Sequence, residues 1–406
     1  VSRYRLAPTL EQEALLLEHC AHARFVWNLT VQQHSYWRPG RASAPDYHEP
    51  RQLTEARGEF AWLRAGSHTV QQQALRDFHQ AVRHFLNGTH RRPTWRKAGR
   101  DEGFRQVAVQ QGHIQRLNRR HGRVWVPKVG WVRFRWCREV PHGVKSYRVT
   151  RDRARRWHIA FATTPEPIPA PGNGATVGVD RGVVVSAALS TGDLLRCPGL
   201  TKHEQQRLVS LQRRLSRCRP GSRRRERVRI ALARLNARLV DRRKDWVEKT
   251  STTLAREFDV IRIEDLRVRS MTRSAKGTVH EPGRRVRQKA SLNRRILANA
   301  WSLLVTRLRE KAPGRVQKVN AAYTSQQCSS RGHLAPESRK SQAGFRCVAC
   351  GYSCNADVNA ARNIAAGRAV TARGGGAVAP PVNREPQPAA PPPSAGSELE
   401  SHVARL

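Results

Sequence analysis

Acidic residues are scarce in this chain. Only 31 Asp and Glu stand against 75 Lys and Arg over 406 residues, and 64 of the basic residues are Arg. The formal net charge is +44. That imbalance excludes an ordinary metabolic enzyme acting on small neutral substrates, because a chain this basic repels itself until polyanions neutralise it. Nucleic acid is the expected partner. Long hydrophobic runs are missing too. No stretch approaches the ~18 apolar residues of a membrane-spanning helix, and the Arg is spread along the whole chain rather than gathered on one amphipathic helix, so no membrane partner is expected. Residues Val1 to Pro8 carry no apolar signal-peptide core, and the cytoplasm is the expected compartment. Hydrophobic residues make up only 38%, below the ~45–50% of a usual globular chain, yet the length allows real cores and about two to four domains. Cysteine is sparse, with eight residues. A disulfide framework belongs to small secreted scaffolds, so metal binding is the better reading. No internal repeat is visible.

What is there changes character along the chain. Arg3 to Thr9 reads as a short strand. From Leu10 to about Trp95 the pattern is helical, with a 3.6-residue period through Leu15, Leu16, Cys20, Ala23 and Val26, and again through Ala74, Leu75, Phe78, Ala81, Val82 and Phe85. Pro39 to Pro50 reads as a loop. Strand-like runs follow at Val124–Val126, Gly130–Trp136, Ser146–Val149 and Trp157–Phe161, which suggests a small β-barrel. Pro165 to Gly174 is a linker and the clearest boundary. Beyond it, Ala175–Asp180 is a buried-strand pattern ending in a carboxylate. Val183–Ser190 reads as a second strand, followed by a hairpin turn at Thr191–Asp193. Lys202 to Asp245 reads as two long helices broken at Pro220-Gly221. Val260–Glu264 is another strand ending in a carboxylate, and Arg267–Gly283 a polar loop. Ser291–Lys311 reads as one helix, Val316–Val319 as a strand and Ala356–Ala366 as a short helix. Residues 371–406 hold 7 of the 23 prolines and a Gly-Gly-Gly run, the composition of a disordered tail.

Three acids sit where a divalent-metal nuclease needs them: Asp180 and Glu264 at strand ends, and Asp357 at a helix start. Mg²⁺ prefers carboxylate oxygens. Two such ions ~3.5–4 Å apart can clamp the attacking and leaving oxygens of a phosphodiester displacement. Any one acid taken alone reads more readily as an ordinary strand-end or cap residue; it is the three together, in a chain where acids are scarce, that favour the functional reading. Cys347-Val-Ala-Cys350 has the spacing of a metal knuckle, and Cys328-Ser-Ser-Arg331-Gly-His333 lies upstream. A zinc ribbon expects Cys-x₂-Cys twice, but Arg331 occupies the second position of the first pair. His333 would complete a Cys₃His set, Cys354 is a spare ligand, and a degenerate knuckle without metal is the alternative. Lys202–Asp245 carries 16 basic against 4 acidic residues, an excess suited to a phosphate backbone, although charge runs are usually solvated faces. Arg223, Arg224 and Arg225 are candidate contacts there. Trp125, Trp131, Phe134, Trp136 and Tyr147 interleave with basic residues as stacking platforms do, but most of them are expected to be barrel core.

These residues resemble a known family. Val177-Gly-Val-Asp180-Arg-Gly, Ile263-Glu264-Asp265-Leu266, Cys347-x-x-Cys350-Gly-Tyr and Asn355-Ala-Asp357-Val-Asn359-Ala-Ala-Arg-Asn363-Ile364 resemble, in order, the split RuvC motifs and zinc ribbon of TnpB, the insertion-sequence-encoded family related to type V CRISPR effectors. Tyr4-Arg-Leu-x-Pro8, Arg24-Phe25-Val26-Trp27-Asn28 and Gln72-Gln-Ala-Leu75-Arg-Asp77 resemble its opening helical region. Pro127-Lys-Val-Gly130 and the strands after it resemble its wedge barrel. The likeness runs over about residues 3–368.

The resemblance implies an α+β multidomain chain. Residues 1–9 would give the first strand of a wedge β-barrel, 10–100 a helical recognition lobe and 101–168 the rest of the barrel. An RNase H-like (RuvC) α/β nuclease domain would span 175–322, with an inserted zinc ribbon at 323–354 and its last helix at 355–370; residues 371–406 form the tail. It implies RNA-guided cleavage of double-stranded DNA beside a short flanking motif, with a noncoding guide RNA from the element. Asp180, Glu264 and Asp357 take the catalytic roles with two Mg²⁺. Cys328, Cys347 and Cys350 take zinc roles, Arg331 departs from the family pattern where a Cys is expected, and His333 stands by spacing as the expected fourth ligand of one Zn²⁺. Gln72 falls in the region that meets the flanking motif. Two rival readings remain: an RNA-guided binder that does not cut, and a non-catalytic DNA-binding accessory of transposition. A strand-joining transposase shares the RNase H-like core, but the motif set and the Cys insertion fit it poorly.

Overall fold

The structure, a computed structural model, describes residues 2–35, 50–100, 102–320 and 322–367. The chain forms two compact units. The first holds residues 1–166 and 200–242, the second residues 167–199 and 243–406. The Pro/Gly linker thus does mark a boundary, but the chain returns to the first unit with the Arg-rich helices.

The first unit begins with β1 (Ser2–Ala7), α1 (Leu10–Ser35), α2 (Pro50–Glu59), α3 (Ala61–Ala65) and α4 (His68–Leu86). Six strands follow: β2 (Glu102–Val107), β3 (Ile114–Arg116), β4 (His121–Val126), β5 (Gly130–Arg135), β6 (Ser146–Arg151) and β7 (Trp157–Ala162). They make one antiparallel sheet in the order β2-β6-β7-β1-β5-β4-β3. Residues 2–5 of β1 pair with β7 and residues 6–7 with β5, so this one strand joins the two halves. Period-2 alternation turns Phe104, Val124, Val132, Phe134, Tyr147, Val149, Ile159 and Phe161 inward. There they meet Leu16, Cys20, Ala23 and Val26 of α1 and Val70, Ala74 and Leu75 of α4. At the centre Tyr4 lies 5.4 Å from Phe134 and 5.3 Å from Phe161, ring to ring. Edge strands β2 and β3 do not pair with one another among the described residues.

The Arg-rich helices are α5 (Lys202–Ser216) and α6 (Arg223–Glu257). A reciprocal cap between Thr201 and Glu204 starts α5, and Gly221 turns the chain at φ +79°. The second helix runs twelve residues beyond Asp245, and its C-terminal part packs in the second unit.

The second unit has a five-stranded sheet: β8 (Thr176–Asp180), β9 (Ala187–Leu189), β10 (Leu194–Leu195), β11 (Val260–Glu264) and β12 (Val316–Val319), in the order β10-β9-β8-β11-β12. The hairpin β9–β10 is antiparallel to β8, whereas β11 is parallel to both β8 and β12. Helices α7 (Val268–Met271), α8 (Val286–Ala298) and α9 (Trp301–Lys311) lie between β11 and β12. After β12 come a small hairpin, β13 (Gly344–Arg346) with β14 (Ser353–Asn355), and α10 (Ala356–Ala365). Val177, Val179, Ile261 and Ile263 are fully or almost fully buried against Val247 and Leu254 of α6 and Leu304 and Leu308 of α9.

Four expectations change. The single helix expected over Ser291–Lys311 is two, α8 and α9, because Ala300 takes a left-handed φ of +54° and the Asn299 side chain caps the first at the Arg295 carbonyl. The strand expected over Val183–Ser190 shrinks to Ala187–Leu189, since Ser186 bonds instead to Asn299 and to the Cys197 N–H. Helix ends at Leu86, not near Trp95, and α7 interrupts the polar loop of Arg267–Gly283. The strands β2 and β3 lay in the region of changed pattern but were not expected individually. The tail at 371–406 and nearly all of the Pro39–Pro50 loop lie outside the described residues.

Candidate active site and cysteine cluster

The parallel pairing of β8 with β11 matches Val179 to Ile263, so the next residue of each strand, Asp180 and Glu264, emerges side by side. Asp357 comes from elsewhere, the first turn of α10. Asn355 caps that helix, accepting from the N–H groups of Asp357 (2.9 Å) and Val358 (3.3 Å). Gly178 lets α10 lie flat on β8. A Cβ at that position would stand 2.0 Å from the Ala361 carbonyl oxygen and 2.4 Å from the Ala365 nitrogen. The Arg262 guanidinium, on β11, donates to the Ala365 carbonyl and holds the helix C-terminus. Asp357 Oδ2 comes within 4.0 Å of where a Cβ on Gly182 would be.

Burial and like charge together shape the site's electrostatics. Burial, then Glu264, then Asp357 push the Asp180 carboxyl well above the usual carboxylate range. Burial also raises Asp357. Glu264 is buried and accepts from the Arg181 N–H at 3.3 Å, while the Arg181 side chain bonds the Glu264 carbonyl. Carboxylates crowded this way favour a divalent cation, which relieves their repulsion and suits hard oxygen donors. The residues present therefore fit Mg²⁺. The neighbouring Asp265 takes no part, for Lys318 binds it at the surface. One participant escaped the sequence reading. Arg339, after the turn Pro336–Ser338, favours the ionised forms of both Asp180 and Asp357. Its position follows from no motif spacing, only from where the segment after β12 folds back.

The sulfur atoms of Cys328, Cys347 and Cys350 lie within 4.8 Å of one another, with Cys328 and Cys350 3.8 Å apart. The two knuckles repeat one backbone pattern. Cys328 donates its N–H to the His333 carbonyl, and Gly332 donates to the Cys328 carbonyl, both at 2.8 Å. Cys347 donates to Tyr352 at 2.8 Å, and Gly351 to Cys347 at 3.0 Å. Both glycines are left-handed, at φ +75° and +71°. Superposing the patterns puts Arg331 where Cys350 stands and His333 where Tyr352 stands. His333 thus supplies a backbone carbonyl to the turn; its side chain is exposed and outside the cluster. Cys354 is outside it as well, on β14 opposite Phe345. Three soft thiolates fit zinc. Burial opposes ionisation of Cys347, but the N–H groups of Cys350 and Ala349 outweigh it and draw the thiol down.

The expected nucleic-acid contacts separate. Arg223 and Arg224 are exposed on α6. Arg225 is engaged internally, donating to the carbonyls of Leu215 (2.8 Å) and Cys218 (2.9 Å) at the end of α5. Gln72 is half-buried on α4 between the buried Gln71 and Gln73. Of the five interleaved aromatics, Phe134 and Tyr147 are core and Trp136 packs against it, while Trp125 is 36% exposed and Trp131 lies under Arg123 at 4.5 Å. No helix among the described residues is long and apolar enough to cross a membrane.

Known proteins match over nearly the whole chain. The family described as "Probable transposase" matches residues 147–275, "Cas12f1-like, TNB domain" residues 301–364, and "Helix-turn-helix domain" residues 2–38. The described residues of the last segment form one strand and one long helix. The "Putative RNA-guided DNA endonuclease InsQ" of Escherichia coli (strain K12) is 35% identical over 92% of this chain and 93% of its own length. A "Putative RNA-guided DNA endonuclease" of Streptomyces pristinaespiralis is 31% identical over 92% and 90%. Among solved structures, the chain is similar to one from a cryo-EM Cas12f1-sgRNA-target DNA complex, with a TM-score of 0.56, 15% identity and coverage of 88% and 82%. At that identity the likeness bears on the fold alone.

Proposed function

The chain belongs to the TnpB family of insertion-element transposase-associated proteins, and from that premise we propose that it is an RNA-guided DNA endonuclease that hydrolyses phosphodiesters at Asp180, Glu264 and Asp357. The observation that carries the reading is that Asp180 and Glu264 leave parallel strand ends side by side, with Asp357 on a separate helix near enough to raise Asp180 further, the three carboxylates being less tightly gathered than the cysteine sulfurs. A pair of Mg²⁺ ions, when bound, would supply Lewis acidity at the scissile phosphate. The chain supplies the rest. Its carboxylates, two at rigid strand ends and one in the first turn of α10, would hold the ions, and the low accessibility of Glu264 keeps that side chain from turning to solvent. Arg339, whose charge favours the ionised forms of Asp180 and Asp357, would add positive charge near a bound phosphate.

The strand order and the helix laid on the central strand support an RNase H-like nuclease domain, with residues 323–354 as its ribbon insertion. Under this reading the first unit supplies the wedge sheet and the helical recognition lobe. The excess of +44 charges then serves a guide RNA transcribed from the element and a double-stranded target entered beside a short flanking motif. The exposed Arg223 and Arg224 serve phosphate contact; Arg225 does not, being committed to two carbonyls. Gln72 is retained as a residue of the flanking-motif region. Both rivals, the non-cutting binder and the accessory protein, require the acid cluster to be idle.

The test is cleavage of a target plasmid by protein purified together with the element's RNA. Asp180→Ala should lose cutting and keep RNA and DNA binding. Undiminished cutting would remove the assignment, and active protein free of RNA would remove the guided mechanism.

A further inference from the structure

Two asparagines on α10 have no part in the chemistry above, yet they are among the most buried polar residues in the second unit. Asn359 is 0% exposed and Asn363 1%. They are four apart, on one face of the helix that carries Asp357. Asn359 Oδ1 accepts from the Ser329 N–H at 2.9 Å, and its Nδ2 donates to the Gln327 carbonyl at 2.7 Å. Those two residues flank Cys328. A single side-chain amide therefore pairs with the backbone on either side of a metal-ligand residue, as a neighbouring strand would. Asn363 Nδ2 donates to the same Gln327 carbonyl at 2.7 Å and to the Thr324 carbonyl at 2.8 Å. All four bonds tie the entry of the inserted segment to the helix bearing the acid. A buried amide is costly unless its groups are met; Asn359 has both paired, whereas Asn363 Oδ1 is buried without a partner among the described residues.

We propose that Asn359, with Asn363 behind it, is a positioning residue that couples occupancy of the Cys328/Cys347/Cys350 site to the placement of Asp357. The proposal rests on the nuclease reading for the role of Asp357, but the coupling itself is a property of the fold. With metal bound, Cys328 is fixed, its flanking peptide groups are fixed, and through Asn359 so is the first half of α10. Without metal, the Cys328 turn keeps its own bonds and those to α10 but loses its tie to the Cys347 knuckle, so α10 is braced by a less rigid neighbour. A second route exists from Cys350 through β14 into Asn355, so the side chain must be removed to separate the two.

Three measurements on the full chain decide it. Competition with a chromophoric chelator should show zinc held about 10–100-fold more weakly in Asn359→Ala, the usual effect of removing a group that orients a metal ligand. Backbone hydrogen exchange along α10 should slow on adding zinc to the wild type and not respond in Asn359→Ala. Cleavage in Mg²⁺ should fall in maximal rate with target affinity kept, and stripping zinc should lower it further only in the wild type. Wild-type zinc affinity together with zinc-responsive α10 exchange in the variant would overturn the coupling. Unchanged cleavage with the exchange response lost would overturn the positioning role. Should Asn359→Ala not fold, Asn363→Ala keeps both bonds beside Cys328, and it must show the same losses in smaller degree or the coupling falls. The first two readouts need no DNA. If Asp180→Ala cut normally, the nuclease reading would fail while the exchange experiment still settled the link.

Discussion

The acid cluster and the cysteine cluster lie in one unit and are built in opposite ways. The cysteine site is made of two local turns with the same hydrogen bonds, each closed by a left-handed glycine. Such turns form from a few neighbouring residues, so a lost ligand leaves the turn standing. Arg331 shows this: the first knuckle keeps its whole backbone pattern without its second cysteine. The acid site has no local frame. Asp180, Glu264 and Asp357 meet only because two strands pair in one register and a glycine lets a helix onto the sheet. Local construction tolerates substitution and long-range construction does not, and that difference orders the expected effects of mutation.

The largest effect belongs to the acids. Glu264→Gln and Asp357→Asn should each lower cleavage on the order of a thousandfold, because the ion is lost where charge develops. Cys347→Ser should cost far less, on the order of tenfold, acting through Asp357 alone. Equal losses in parallel single-turnover assays would erase the contrast. Next is the scaffold of the acid site. Gly178→Val drives side-chain carbons into the α10 backbone, and overpacking of this kind costs about 1–3 kcal/mol or more. Chemical denaturation should show that loss. A wild-type midpoint would mean that α10 does not lie on β8 as described.

The cysteine site can instead be improved. Arg331→Cys restores a fourth thiolate on a turn that already has the right shape, and zinc affinity should rise by at least about a hundredfold. His333→Ala should leave affinity unchanged, since only its backbone carbonyl is used. Weaker binding in His333→Ala would make the imidazole the ligand after all. The smallest effect is on stability against pH without divalent metal. Asp180 and Asp357 have raised folded-state values, so the native state holds protons that the unfolded chain has released. Their contribution is favourable below the ordinary carboxylate range and is lost as pH rises from that range towards their raised values. Metal-free Asp180→Asn should therefore melt above the wild type at neutral pH, and the gap should close in acid. A gap that widened in acid would contradict the burial and repulsion assigned to Asp180.

Much of the site was legible because it obeys local rules. Val177-Gly-Val-Asp180 and Val260–Glu264 are short apolar runs that end in a charge, which is what a buried parallel strand with a functional tip looks like. Asn355 before Asp357 is an ordinary helix cap. Other parts were hidden because they depend on partners far away in sequence. His333 looked like a ligand by spacing, and the turn geometry uses its carbonyl instead. Arg225 looked like its two neighbours, yet it alone reaches back to the carbonyls ending α5. The periodicity across Ser291–Lys311 is real on both sides of Ala300, so no apolar pattern could announce the left-handed residue that splits it.

The sequence by itself determined the partner class, the two strand tips, the knuckle spacing and the missing fourth cysteine, because charge excess, period and turn chemistry are properties of adjacent residues. Tertiary structure alone decided that the charge of Arg339 acts on the acids, that Asn359 brackets Cys328, and that Lys202–Asp245 divides between two units. The first two depend on segments well apart in the chain being brought together, and the third on where one long helix packs. Their closeness follows from strand register and helix packing, which no local pattern encodes.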